Sequence, residues 1–203
     1  DEECAKGFGL LPNQIVAMIH TGSRGLGHQV CSDHLKILET GYKKEGNNWR
    51  HKEWDILLPD RQLAAAPIHS KEGQEYIQAM QAAGNFAFAN RSAVTQRFRD
   101  ILHNELGSDA EVNVLYDVSH NIAKFEKHVI HGKSCNCCVH RKGATRSLPK
   151  GHEDLDSKFS QFGQPVLVPG DMGTASWVLA GPENNNQAFD SSCHGAGRAL
   201  SRT

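Results

Sequence analysis

Residues 14 to 20, Gln-Ile-Val-Ala-Met-Ile-His, form a β-branched and apolar run that reads as a buried strand, and Gly22-Ser-Arg-Gly-Leu-Gly27 breaks it. The spacing after that predicts a helix with Val30, Leu35 and Leu38 inward. Residues 41 to 62 are polar, contain Gly41, Gly46, Asn47 and Pro59, and read as a surface excursion. From Glu72 to Leu106, the residues Ile77, Met80, Phe88, Val94, Phe98, Ile101 and Leu106 recur at spacings that fit one face of a long helix, with Gly84 as the place for a bend. Val112, Val114 and Tyr116 alternate as in a strand that delivers Asp117 and His120 to its end. Residues 125 to 139 read as a hairpin turning at His131-Gly-Lys133, and Gln164 to Val168 as a strand stopped by Pro169-Gly170. The chain has no internal repeat and no long linker, so the pattern is that of one mixed α+β domain.

Composition narrows the function classes. The 22 Lys+Arg and 23 Asp+Glu of the 203 residues nearly cancel, which argues against a disordered tail or a general basic coat for nucleic acid. A polyanion partner must then be met by a local patch. No apolar stretch approaches the roughly 20 residues that span a bilayer, and no signal-peptide pattern opens the chain, so a soluble, intracellular protein is expected. Six cysteines at irregular spacing (Cys4, Cys31, Cys135, Cys137, Cys138, Cys193) do not form the pattern of a disulfide framework. The start at Asp1 and the end just after a Gly-rich turn suggest an excerpt of a longer chain.

Twelve histidines invite chemistry, since neutral imidazole is both a metal ligand and a nucleophile. Three stand where a predicted strand gives way to a turn: His20, His120 and His194. Each has a cation four residues later (Arg24, Lys124, Arg198), which a helical turn would place on the same side. Backbone amides at Gly25, Gly27, Gly195 and Gly197 can approach phosphate oxygens closely. The order of the first glycines is reversed from a dinucleotide fingerprint, and there is neither a Walker sequence nor a Lys-x-Asp-Gly motif. If a nucleotide becomes covalently attached here, histidine is the better candidate for the nucleophile.

Cys135-Asn-Cys137-Cys138 lacks the spacing of a structural zinc site, and Cys193 beside His194 makes a poor nucleophile and base pair. Residues 140 to 150 carry Arg141, Lys142, Arg146 and Lys150 with no acid, and read either as a solvated basic loop or as a phosphate-backbone groove.

Six segments in order resemble the RtcB-type RNA-splicing ligases. They are His-Thr-Gly-Ser-Arg-Gly-Leu-Gly-His at 20 to 28, Ala-Ala-Gly-Asn-Phe-Ala-Phe-Ala-Asn-Arg at 82 to 91, Asp-Val-Ser-His-Asn-Ile-Ala-Lys at 117 to 124, His-Arg-Lys-Gly-Ala-Thr-Arg at 140 to 146, Gly-Asp-Met-Gly-Thr-Ala-Ser at 170 to 176 and Cys-His-Gly-Ala-Gly-Arg at 193 to 198. The resemblance implies that residues 1–203 are part of one RtcB-like catalytic domain, α+β in class, incomplete at both ends and with further metal ligands outside this chain. It implies an RNA ligase, dependent on GTP and Mn2+, that joins 3′-phosphate or 2′,3′-cyclic phosphate ends to 5′-hydroxyl ends through a guanylated histidine, in tRNA splicing or RNA repair.

On that resemblance His194 takes the guanylate, and His20 and His120 bind Mn2+. The guanylate contacts fall on His120, Asn121, Pro169, Gly170, Asp171, Met172, Ser176, His194, Gly195, Ala196 and Gly197. Arg24, Arg141, Lys142 and Arg198 are the expected RNA contacts, RNA ends such as tRNA halves and an archease-type activating protein the expected partners, and the cytoplasm, or the nucleus in a eukaryote, the expected place. The rival classes are a metal-dependent phosphoesterase using the same histidines on water, and a non-catalytic RNA-binding module using only the 140 to 150 segment.

Overall fold

Short antiparallel ladders and one very long helix dominate the computed structural model, which describes residues 1–183 and 186–195. In chain order the elements are α1 (Glu2–Gly7), α2 (Arg24–Glu39), β1 (Tyr42–Glu45), β2 (Asn48–His51), β3 (Leu57–Leu58), α3 (Lys71–Leu106), β4 (Asn121–Ile130), β5 (Lys133–Lys142), β6 (Ala144–Arg146), β7 (Pro165–Val168), β8 (Trp177–Ala180) and β9 (Ser191–Cys193). The mixed α+β class read from the sequence holds. Contacts divide the chain into two compact units, one of Asp1–Met18 with the chain from Glu111 onward, the other of Ile19–Ala110. Among the described residues no helix is long and apolar enough to cross a membrane.

In the first unit the carboxylate of Asp1 caps α1 by accepting from the amides of Glu3 and Cys4. Its Phe8 meets Phe159 edge to face at 5.5 Å, and Phe8, Leu148, Leu155 and Phe159 form a core cluster. β4 and β5 pair over their whole length, Asn121 opposite Lys142 and Ile130 opposite Lys133, and turn at His131 and Gly132, both of positive φ, as a two-residue hairpin demands. The expected hairpin and its turn are therefore present. β7 pairs with β8, β6 with β9. Gln164, almost wholly buried, ties β7 to β6 by donating to the Arg146 carbonyl at 2.7 Å and accepting from the Leu148 amide at 3.4 Å.

In the second unit α3 begins at Ser70, whose hydroxyl caps the Gly73 amide at 3.0 Å, and runs to Leu106 as expected. The face it buries differs from the expected one. Gly73, Ala83 and Ala87 are buried, whereas Phe88, Val94, Ile101 and Leu106 are exposed. Small side chains let another helix approach closely, and a Cβ added at Gly27 of α2 would come within 3.8 Å of Ala83 Cβ. Residues 41 to 62 are no plain excursion: β1, β2 and β3 form an antiparallel meander that turns at Gly46 and Asn47. Its interior is Tyr42 and His51, the latter stacked on Trp54 at 3.8 Å.

Two expected strands are absent. Residues 14 to 20 belong to no ladder, and Ile15 is 97% exposed. Residues 112 to 116 likewise lack a ladder. An apolar run becomes a strand only when a neighbouring strand takes its amides in a regular ladder, and neither segment is part of one among the described residues.

Candidate functional site

In the first unit one glycine sets the geometry. The Gly143 amide donates to the His120 carbonyl at 3.0 Å, and the Gly143 carbonyl accepts from the His194 amide at 3.2 Å. Gly143 has φ +65°, a left-handed conformation that glycine adopts without a Cβ penalty. Thr145, fully buried in β6, donates its hydroxyl to the Ser119 carbonyl at 3.2 Å and fixes the approach to His120. β9, paired to β6, delivers His194 from the other side. The two imidazoles end face to face, ring centroids 3.6 Å apart and 9° from parallel, with His120 Nδ1 and both His194 ring nitrogens shielded from solvent.

Around this pair stand groups suited to an anion. Asn121, at the start of β4, accepts from Lys142 Nζ at 3.0 Å and from the Gly143 amide at 3.3 Å, so an exposed ammonium sits beside the histidines. The turn after β7 folds on its own polar groups. Ser176 Oγ accepts from the Gly170 amide at 3.0 Å, and Asp171 Oδ1 accepts from the Gly173 amide at 2.8 Å and from the Thr174 hydroxyl at 3.0 Å. These bonds, the Gly173 amide first, hold the Asp171 carboxyl below its usual range. A Cβ on Gly170 would strike the carbonyls of Thr174 and Ala175 at 2.4 Å, so this turn closes only around glycine. A Cβ on Gly195 would stand 4.0 Å from the Pro169 carbonyl, which makes this turn a neighbour of the segment carrying His194.

In the second unit the segment after His20 is pinned by α3. Asn90 Nδ2 donates to Thr21 Oγ1 at 3.2 Å and to the Gly22 carbonyl at 2.8 Å, and Arg91 donates to the Thr21 carbonyl at 3.4 Å. Arg24 opens α2 with φ +52° and is exposed, and the Ser23 side chain at the N-cap makes no capping hydrogen bond.

A family model for tRNA-splicing ligase RtcB matches residues 1–203. The chain belongs to the RtcB family. It is 51% identical over 207 residues to the tRNA-splicing ligase RtcB of Thermococcus kodakarensis, with 100% of this chain and 41% of that protein covered. It is 50% identical to that of Methanococcus maripaludis, again over 100% of this chain and 41% of the relative, and 50% identical to the RNA-splicing ligase RtcB of Mycobacterium tuberculosis, over 100% and 44%. The chain thus spans less than half the length of these RtcB relatives.

Placed against the RtcB expectations, His120, Asn121, Pro169, Gly170, Asp171, Met172, Ser176, His194 and Gly195 all lie in the first unit, and His20 and Arg24 in the second. Ala196, Gly197 and Arg198 lie outside the described residues. Arg141, an expected RNA contact, is buried, and each nitrogen of its guanidinium donates to a protein group, Glu126, Ser191 or the Phe189 carbonyl. The basic segment is only in part a loop. Residues 140 to 142 end β5 and 144 to 146 form β6, while 147 to 150 lie outside the strands, with Lys142 and Lys150 exposed and Arg146 half-buried. Lys124 follows His120 in a strand, not a helical turn. Burial foremost, then Arg146, holds its ammonium below the ordinary lysine range. Asn90, Arg91 and Gly143 carry no role that the motifs themselves announce: the side chains of Asn90 and Arg91 hold the Thr21–Gly22 segment, and Gly143 works through its own amide and carbonyl, pairings that local sequence does not name.

Proposed function

We propose that this chain is the part of an RNA ligase that takes up a guanylate on His194 and passes it to an RNA end. The observation that carries the reading is the His120–His194 ring pair, hung on Gly143, with Asn121 and Lys142 on one side and the Pro169 to Ser176 turn beside Gly195. In the proposed step a neutral His194 nitrogen forms a bond to the α-phosphorus of GTP, the bond from that phosphorus to the bridging oxygen breaks, and pyrophosphate leaves with the electron pair. An oxygen of an RNA 3′-phosphate then displaces the histidine, and a 5′-hydroxyl displaces GMP from the activated end.

The chain's own groups supply positioning. Lys142 neutralises phosphate charge, the glycine-built turn at 170 to 176 accepts the nucleotide closely, and Arg24 and Arg198 guide the RNA backbone. Imidazole donors at His20 and His120 suit a first-row divalent ion, and Mn2+ is the one the family resemblance implies. Bound there, it would offset the triphosphate charge. RNA ends such as tRNA halves are the proposed substrate, an archease-type protein the proposed activator, and the cytoplasm or nucleus the proposed site of action.

The test uses the full-length protein with α-labelled GTP and Mn2+. Wild type should yield a protein adduct that is labile in acid and resistant to base, as a phosphoramidate is, and His194→Ala should yield none. Labelling of His194→Ala overturns the assignment, and phosphate release without any adduct favours a phosphoesterase.

A further inference from the structure

One face of the β4–β5 hairpin covers a buried set of charges that the proposed chemistry does not use. The Arg141 side chain is 2% exposed, with buried His128 and Asp190 and the Glu126 side chain, 9% exposed, around it. Arg141 Nη1 and Nη2 donate to the two oxygens of Glu126 at 2.7 and 2.8 Å, a bidentate pair. Nη2 also donates to the Phe189 carbonyl at 2.8 Å, and Nε to Ser191 Oγ at 2.9 Å. His128 lies between the acids, Nε2 at 3.1 Å from Glu126 and Nδ1 at 3.8 Å from Asp190, with its ring edge-on to Phe189 at 5.1 Å.

This set grips a strained turn. Phe189 and Asp190 have φ of +49° and +46°, consecutive left-handed residues that are not glycine. For an aromatic residue that is an outlier, and such conformations persist only where the surroundings over-determine them. The Asp190 carbonyl is held as well, accepting from the Ser147 amide at 2.7 Å. β9 starts at the next residue and runs for only three before His194. With so short a ladder, the direction in which the turn releases the chain decides where the His194 ring lands.

We propose that Arg141, with Glu126 as its counter-ion, is a positioning residue that holds the Phe189–Asp190 turn left-handed and thereby sets the His194 imidazole against His120 for nucleophilic attack. The inference rests on His194 being the guanylated residue. A lysine in place of Arg141 keeps the charge but cannot bind Glu126, Ser191 and the Phe189 carbonyl at once, because it lacks the planar fork. The strain at residue 189 can be removed independently. Phe189 is 39% exposed, so Phe189→Gly costs little packing and makes the left-handed conformation easy.

The experiment measures single-turnover guanylation against GTP concentration in the full-length protein, with a thermal melt for each variant. Arg141→Lys should lower the maximal rate by about a hundredfold while leaving the half-saturating GTP concentration unchanged. Adding Phe189→Gly to Arg141→Lys should recover at least a tenfold part of that loss. A wild-type rate in Arg141→Lys overturns the proposal. So does a shift in half-saturation alone, or a loss of rate and melting temperature that Phe189→Gly does not repair. Should Arg141→Lys not fold, Glu126→Gln is read by the same criteria. If His194→Ala still takes label, the assignment of His194 has failed; if it does not, and Arg141→Lys is unimpaired, the positioning role alone has failed.

Discussion

The rings of His120 and His194 lie 3.6 Å apart, nearly parallel, although 74 positions separate them in the chain, and both are anchored through the backbone of Gly143. The donor and acceptor of one peptide residue thus serve the two histidines that carry the proposed chemistry. Any residue with a Cβ at position 143 must hold a left-handed conformation at a cost of about 1–2 kcal/mol. Gly143→Ala in the full-length protein should therefore melt lower and guanylate more slowly. A wild-type guanylation rate in a folded Gly143→Ala protein would show that this anchor does not set the ring pair.

The segment that follows His20 depends on a different anchor. Asn90 donates to both Thr21 and Gly22, which a carboxylate cannot do. Asn90→Asp and Asn90→Ala should each lose about 1 kcal/mol of stability, and Mn2+ occupancy measured by metal analysis should fall as in His20→Ala. Full occupancy in both Asn90 variants would reduce this residue to a purely structural role.

Legibility in the sequence followed the range over which each signal acts. The hairpin at His131 and Gly132, the helix from Lys71 to Leu106 and the β7 strand ending before Pro169 are specified by turn residues, a cap and local periodicity, and all are present. The runs at 14 to 20 and 112 to 116 have strand composition, but a ladder needs a partner that composition does not name. The buried face of α3 differs from the expected one because a stripe of large apolar residues outweighs alanines in the pattern, whereas close helix approach favours Ala83 and Ala87. Arg141 carries the same lesson for the site. Its neighbours in sequence are basic, while the residues it binds lie 15 and 50 positions away.

RNA binding should register that distinction. Arg24 is exposed, and if it meets a phosphate, Arg24→Gln should reduce the dependence of log affinity on log salt by roughly 0.7, one counterion on a single strand. Arg198→Gln is expected to behave alike. Arg141→Lys should leave the slope untouched, because its guanidinium is buried and bound to protein groups. A lower slope in Arg141→Lys would place it on the RNA after all.

The Glu126 carboxylate gives the buried cluster a signature in pH. Burial pushes its affinity for protons up, but the hydrogen bonds from Arg141, then that from His128, and the nearby positive charges together hold it below the ordinary glutamate range. As pH falls, the unfolded chain therefore takes up this proton first, at about 4.3. The stabilisation is full above that value and is lost as pH drops from there through the lower value of the folded state. Urea unfolding of the full-length protein between pH 7 and pH 3 should show Glu126→Gln less stable than wild type at neutral pH, with the gap narrowing only in the acid part of the range. A gap that stays constant down to pH 3 would mean that Arg141 does not depend on the charge of Glu126, and that the pair acts by shape alone.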